Sequence, residues 1–237
     1  VLRFHPERTK IVFLDLEFYV PEQDRGRSSP SGMRYSPVLP DHKILGGTFL
    51  TYLPMRNHVE GVHGIWEWQH GAEKEALRQM YRLLCREWLS ILGKEDHGSL
   101  MLGGIGISHS DIPALFARCA QFGIDTPHRL HDVLYGSRQL DLSAISYCQF
   151  SGGWPYFAYP KTKRELYAKY LKQKSPESGK QVWQWYECGQ HARIEKRCRA
   201  EIMSTLAIYK AMFDLRRKTE SDLKRLKRYE KEEPKSQ

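Results

Sequence analysis

Paired cysteines are missing from this chain. Its five, Cys85, Cys119, Cys148, Cys188 and Cys198, are odd in number and scattered, and no two form a C-x-x-C pair. That argues against a disulfide framework and against a zinc ribbon, and points to a reducing, cytoplasmic setting. Long apolar runs are missing too. No stretch approaches the roughly 20 residues that cross a bilayer, and no signal-peptide pattern is present, so no membrane partner is expected. There is no internal repeat and no second core-forming half, which leaves one domain over residues 1–214. Negative charge is in deficit: 28 Asp and Glu stand against 37 Lys and Arg, for a net charge of +9. Such a surplus favours a polyanionic partner, most simply nucleic acid. A basic protein without that partner is the bland alternative.

What is present begins at residues 10–20, a run of β-branched, aromatic and aliphatic residues with Asp15 and Glu17 set into it. Such a run predicts a strand buried on both faces. Residues i and i+2 of a strand point the same way, so Asp15 and Glu17 share one face, with Leu14, Leu16 and Phe18 on the other. Side-by-side carboxylates repel unless a cation lies between them. Two readings follow: an oxygen-ligand site for Mg²⁺ or Mn²⁺, or a strand end where both acids reach solvent or an Arg.

Along the chain, residues 21–43 are rich in Pro, Ser, Gly and Arg and predict a long mobile loop. Residues 44–53 and 61–69 read as strands. Residues 73–92 form an amphipathic helix through Leu77, Met80, Tyr81, Leu84, Trp88 and Ile91, closed by Gly93. Residues 100–107 are an apolar strand leading into a helix with Ser110 as N-cap and Asp111 in its first turn. A strand at 139–146, an aromatic loop at 151–160, a helix at 162–172 capped by Thr162 and a helical segment at 182–188 follow. A long helix then starts near Ala192. Residues 215–237 are dense in Lys, Arg and Glu and read as its charged, solvated extension. The order predicts an α/β fold with a mixed sheet, antiparallel strands first.

Three places put an acid where packing alone would not. Asp15 and Glu17 are the first. Asp111 is the second, at a strand-to-helix junction of the kind where ligands gather in α/β sheets, though a first-turn acid also complements a helix dipole. Glu201 is the third. Ile194, Cys198, Thr205, Ile208 and Met212 step by three or four residues along one stripe, and Glu201 falls inside it. A core-facing Glu needs a partner. A metal shared with Asp15 supplies one, and a pairing with Arg197 is the alternative. Acids gathered from distant segments are how two-metal phosphoryl-transfer sites are built.

On these residues the chain resembles the DEDD superfamily of 3′–5′ exonucleases, which has a ribonuclease H-like fold. Within it, the chain is most similar to the stand-alone exonucleases related to the proofreading domain of family-B DNA polymerases. Phe13-Leu14-Asp15-Leu16-Glu17 matches the first motif. The stretch from Gly104 to Leu115, with Asp111, Pro113 and then Arg118, resembles the second. Residues 178–186 and 194–205 resemble the third, which normally ends Tyr-Cys-x-x-Asp-(Val/Ile)-x-x-Thr. The resemblance implies a ribonuclease H-like mixed five-stranded sheet flanked by helices. It also implies two Mg²⁺ or Mn²⁺ ions held by Asp15, Glu17, Asp111 and Glu201, and removal of nucleotides from 3′ ends, of single-stranded DNA or of RNA. Two departures stand out. Glu201 replaces the family's Asp, and Arg197 its catalytic Tyr; Arg cannot take a proton from water at neutral pH. A related subgroup places a His five residues before the last acid, where this chain has Lys196. His191, one helix start earlier, is the candidate base. Phe18, His109, Arg197 and Trp154 are candidates for contacting substrate, Phe18 and Trp154 by stacking on bases. The rival reading is a nucleic-acid-binding module on a retired exonuclease site.

Overall fold

The strand predicted over residues 10–20 lies at the centre of the sheet. In the computed structural model, which describes residues 5–29, 32–92, 99–150, 159–175 and 179–232, β1 spans Lys10–Tyr19. It is flanked by β2 (Lys43–Leu53) and β4 (Leu100–Gly104), with β3 (His58–Trp66) and β5 (Arg138–Asp141) outside them. The sheet order is β3-β2-β1-β4-β5. β1 and β2 pair antiparallel, as do β2 and β3, while β1, β4 and β5 run parallel. This is the ribonuclease H-like mixed five-stranded sheet, flanked by helices on both faces.

Alternation along β1 sorts the two faces. Val12, Leu14 and Leu16 meet α2 (Glu73–Ser90), α3 (Asp111–Gln121) and α4 (Pro127–Leu134) through Leu77, Met80, Leu84, Leu115, Cys119 and Leu130. Ile11 and Phe13 meet the other layer. There α8 (His191–Glu232) supplies Ile202, Leu206, Ile208 and Met212, and α6 (Lys163–Leu166) with its π-helical continuation Tyr167–Leu171 supplies Leu166 and Tyr167. Each such buried side chain contributes about 1.5–3 kcal/mol of transfer free energy. A buried ion pair ties the first layer together. Arg118 Nε donates to Glu73 Oε1 at 2.8 Å, and the same oxygen accepts from the Ile44 N–H at 2.8 Å, joining α3, α2 and β2.

Local departures from the sequence reading have local causes. β4 stops at Gly104 because the next N–H groups turn toward Asp141: Gly106 N–H and Ser108 N–H donate to its two carboxylate oxygens at 2.8 and 3.1 Å. The same Asp141 caps the short helix α5 (Leu142–Ile145) by accepting from Ser143 N–H, so β5 ends three residues into the expected strand. β3 starts before residue 61, on a hairpin turned by Asn57 at φ 48°, and runs into α1 (Glu67–His70). α4 was not expected, although Thr126 accepts from Arg129 N–H at its N-cap and Pro127 opens it. The described part of residues 21–43 is packed rather than merely solvated. His42 is fully buried, accepting from Ser36 N–H at 3.0 Å and lying 3.1 Å from Asp24 Oδ2. The expected terminator Gly93 and most of the aromatic loop fall outside the described residues.

α8 holds 42 residues, about 63 Å at 1.5 Å per residue. Its buried stripe ends at Met212, and residues 213–224 are exposed.

Candidate active site

The acids meet where β1 outruns its parallel neighbour. β1 pairs with β4 only as far as Phe13 opposite Gly103, while its antiparallel pairing with β2 continues through Asp15 and Glu17. Leu16 N–H, beyond the end of β4, donates to Asp111 Oδ1 at 2.8 Å. Asp111 therefore completes β1's hydrogen bonding from the first turn of α3. Its other oxygen accepts from Ser110 Oγ, which also hydrogen-bonds to Gly106 O at 2.9 Å. Ser110 stands at the N-cap position but makes no capping hydrogen bond; its hydroxyl serves Asp111 instead.

Opposite Glu17 and Leu16, β2 carries Gly46 and Gly47. A Cβ on Gly46, at φ +148°, would lie 2.3 Å from Ile65 O and 2.4 Å from the Trp66 ring. The glycine lets that indole pack close beneath the acid-bearing part of β1.

Glu201 arrives from α8, nearly fully buried in the predicted stripe. Carboxylate oxygens of Asp15, Glu17 and Glu201 lie within 4.8 Å of one another. Asp111 faces the same cleft, of about 440 Å³, without joining that triplet. Two cations stand among the acids. Arg197, one turn before Glu201, reaches Glu17 Oε1 with Nη1 and lies 2.7 Å from Glu201 Oε1 with Nη2. Lys163 bonds Glu201 Oε2 and sits 3.8 Å from Asp15 Oδ1. Lys163 is placed by a capping box in which Thr162 and Glu165 satisfy each other's backbone N–H groups at the start of α6. Sequence reasoning found the cap but missed the lysine. Cys198 Sγ donates to Glu17 Oε1 at 3.3 Å.

Burial raises the acids. Asp111 is pushed up to about 7 by burial, with the charge of Asp15 adding to it. Glu201 is pushed up to about 7 by burial, with Lys163 opposing. Glu17 is raised by burial against the pull of Arg197. Burial disfavours the charge of Lys163 and of Arg197, yet the surrounding carboxylates raise both. Asp15 Oδ2 is buried with no hydrogen-bond partner among the described residues.

The remaining candidates are spread more widely. Phe18 lines the cleft, with its ring 4.4 Å from that of Tyr35. His109 is exposed in the turn before α3 and is not among the cleft-lining residues. His191 stacks on Trp68 at 4.3 Å, also off the cleft lining. Trp154 lies outside the described residues. Among the described lining residues there is no His and no Tyr, while Arg164, exposed beside Lys163, stands at the mouth.

Fold and site together define an α/β protein with a ribonuclease H-like sheet and a buried acidic cluster at one end of it. No protein-family model matches the chain, and no curated protein matches it. Among solved structures it is similar to the family B DNA polymerase from the hyperthermophilic archaeon Pyrobaculum calidifontis, with a TM-score of 0.53 and 15% identity over 86% of this chain. The match covers 24% of that polymerase, so the chain spans about a quarter of its length. At this identity the likeness is one of fold. Among the described residues, no helix is long and apolar enough to cross a membrane.

Proposed function

We propose that the protein is a metal-dependent 3′–5′ exonuclease, acting on single-stranded DNA in preference to RNA, through the cleft at the end of β1. The observation that carries this reading is the gathering of Asp15, Glu17 and Glu201 oxygens within 4.8 Å, with Asp111 beside them, in a chain of net charge +9. Residues 1–214 form the exonuclease-like unit in this reading, and 215–237 its charged extension.

The donor set fits a hard divalent cation such as Mg²⁺ or Mn²⁺. It is all oxygen, Asp15 Oδ2 has no hydrogen-bond partner among the described residues, and burial raises Asp111 and Glu201 toward neutrality even with Lys163 nearby. Charge sets the number of ions. With all four carboxylates ionised, Lys163 and Arg197 leave two negative charges, the complement of one divalent ion rather than the expected two. Asp15, Glu17 and Glu201 hold that ion. When bound, it would polarise the scissile phosphate and acidify a water. Arg197 takes the place of the second cation, its guanidinium facing the negative charge that develops on the phosphate. Lys163 holds Glu201 and Asp15 in register. With no His or Tyr on the described lining, a carboxylate of the cleft is the group able to receive the water's proton. Arg164 at the mouth meets the next phosphate, and Phe18 packs on the terminal base.

A second reading has its own observation. Lys163 and Arg197 already occupy the space among the acids, as they would in a retired site that only binds nucleic acid. Labelled single-stranded DNA and RNA incubated with Mn²⁺, Mg²⁺ or EDTA separate the two. Ion-dependent trimming from the 3′ end by wild type, lost in Asp15→Asn, is expected. Equal traces for the two proteins would end the nuclease reading.

A further inference from the structure

A second cleft lies on the other side of the sheet, at its β3 edge. It has a volume of about 430 Å³, and its floor is the buried pair Ile65 and Leu83. His63, Gln69, His70, Gln79, Arg82 and Arg86 rise around that floor, and no carboxylate is on the lining. The cleft is thus walled by two arginines, two histidines and two amides, without an acid. Arg82 is exposed and has no ion pair among the described residues. Arg86 donates Nε and Nη2 to Glu87 Oε1 at 3.2 and 3.1 Å, and its side chain is 62% exposed, so its remaining guanidinium donors can meet a ligand. No Phe, Tyr or Trp lines the cleft; its cations and amides offer positive charge and hydrogen-bond donors. Those are the groups that meet a phosphodiester backbone.

Register places the cleft relative to the acids. Gly64 pairs with Thr48 of β2, and Thr48 with Asp15 of β1. His63 and Ile65 flank Gly64 and turn to the α2 face, away from Asp15 and Glu17. The cleft is therefore level with the acid cluster, about 10 Å across the sheet at two strand spacings, and opens on the opposite side of the edge. No strand pairs with the outer side of β3 among the described residues.

We propose that this cleft is a phosphate-backbone site that holds nucleic acid away from the cut end, with Arg82 and Arg86 each engaging one phosphate. The proposal rests on the reading of the acid cluster as a nuclease site, and adds a second anchoring point to it. A substrate long enough to pass round the β3 edge engages both; a di- or trinucleotide engages the acids alone.

The test measures binding of a fluorescent single-stranded 20-mer by anisotropy, in EDTA so that nothing is cut, across salt from 50 to 200 mM. Wild type is compared with Arg82→Gln/Arg86→Gln, and with Asp15→Asn. Two lost phosphate contacts on a single strand flatten the slope of log affinity against log salt by about 1.4, so wild-type affinity falls about sevenfold more over that range than the double variant's. Asp15→Asn is assayed for trimming in Mn²⁺. Urea denaturation of the double variant, whose changed side chains are on the surface, checks that it is folded. An unchanged slope in a folded double variant overturns the proposal. So does a thermal shift by inorganic phosphate that the double variant loses while its DNA slope stays unchanged, since the site would then be one for free phosphate. If Asp15→Asn abolishes trimming while the double variant binds like wild type, the nuclease reading stands and the cleft falls alone. If wild type neither trims nor binds, both fall.

Discussion

Asp111→Asn isolates the electrostatic cost of the acid cluster. The side chain is isosteric, and its environment accepts an amide. The Asn oxygen takes the Leu16 N–H that Asp111 Oδ1 takes at 2.8 Å, and the amide nitrogen donates to Ser110 Oγ once that hydroxyl turns its proton from residue 111 to Gly106 O, 2.9 Å away. What changes is the charge. Asp111 is raised from 3.8 to about 7, so the folded protein holds a proton that the unfolded chain releases. Stability from this group is fully present below about 3.8 and is lost as pH rises to about 7. At about 1.4 kcal/mol per unit, the loss is roughly 1.5 kcal/mol at pH 5 and at most about 4.5 kcal/mol at pH 8. Asparagine has no such loss. In EDTA, urea unfolding of Asp111→Asn and wild type should therefore show the variant gaining on wild type between pH 5 and pH 8, by roughly 1–3 kcal/mol. Adding Mn²⁺ at pH 8 should stabilise wild type and close the gap. A difference between the proteins that is the same at both pH values would refute the reasoning, because it would mean that the Asp111 carboxylate is not held near neutrality by its surroundings.

Other outcomes follow from the same geometry. Arg197→Met removes the cation between Glu17 and Glu201; it should destabilise the metal-free protein by about 3–5 kcal/mol and raise the Mn²⁺ stoichiometry from one to two by calorimetric titration. Arg118→Met leaves Glu73 buried with its other bond, from Ile44 N–H, unable to neutralise it; about 3–5 kcal/mol should be lost in urea unfolding, with Glu73→Gln/Arg118→Met recovering part of that. Gly46→Ala drives a methyl into Ile65 O and the Trp66 ring; at least about 1–3 kcal/mol should be lost, with a change in tryptophan fluorescence as the ring moves.

The sheet was readable because its signals are local. The alternation of β1 put Leu14 and Leu16 on one face and Asp15 and Glu17 on the other, and the 3.6-residue stripe of α8 put Glu201 inward, without knowledge of any partner. What escaped depends on contacts between distant segments. Asp141 looks like an ordinary strand residue until the turn 35 positions earlier donates to it, and that contact shortens both β4 and β5. Lys163 sits in a helix start that is legible as a capping box, but its distance to Glu201, 38 residues away, is set by the packing of α6 on α8. Arg197 was legible as a departure and as a possible partner for Glu201; its reach to Glu17, 180 residues earlier, was not. The sequence also put His191 forward as a base, from its position at a helix start. The stack on Trp68 that holds its ring is a tertiary contact with no sequence signature.

Lys163 and Arg197 also bear on the order in which the molecule comes together. A cluster made of acids alone cannot close until an ion arrives, so folding waits on supply. Here two side chains act as internal placeholders: α6 and α8 can dock on β1 with the acids partly neutralised from within. Folding and loading become separate events. In the proposed nuclease the chain would mature where free divalent ions are scarce and sit as a finished scaffold, taking up an ion by competition with its own lysine. The set-point of that competition is written into Lys163, four atoms of flexible stem away from the backbone, rather than into the fold.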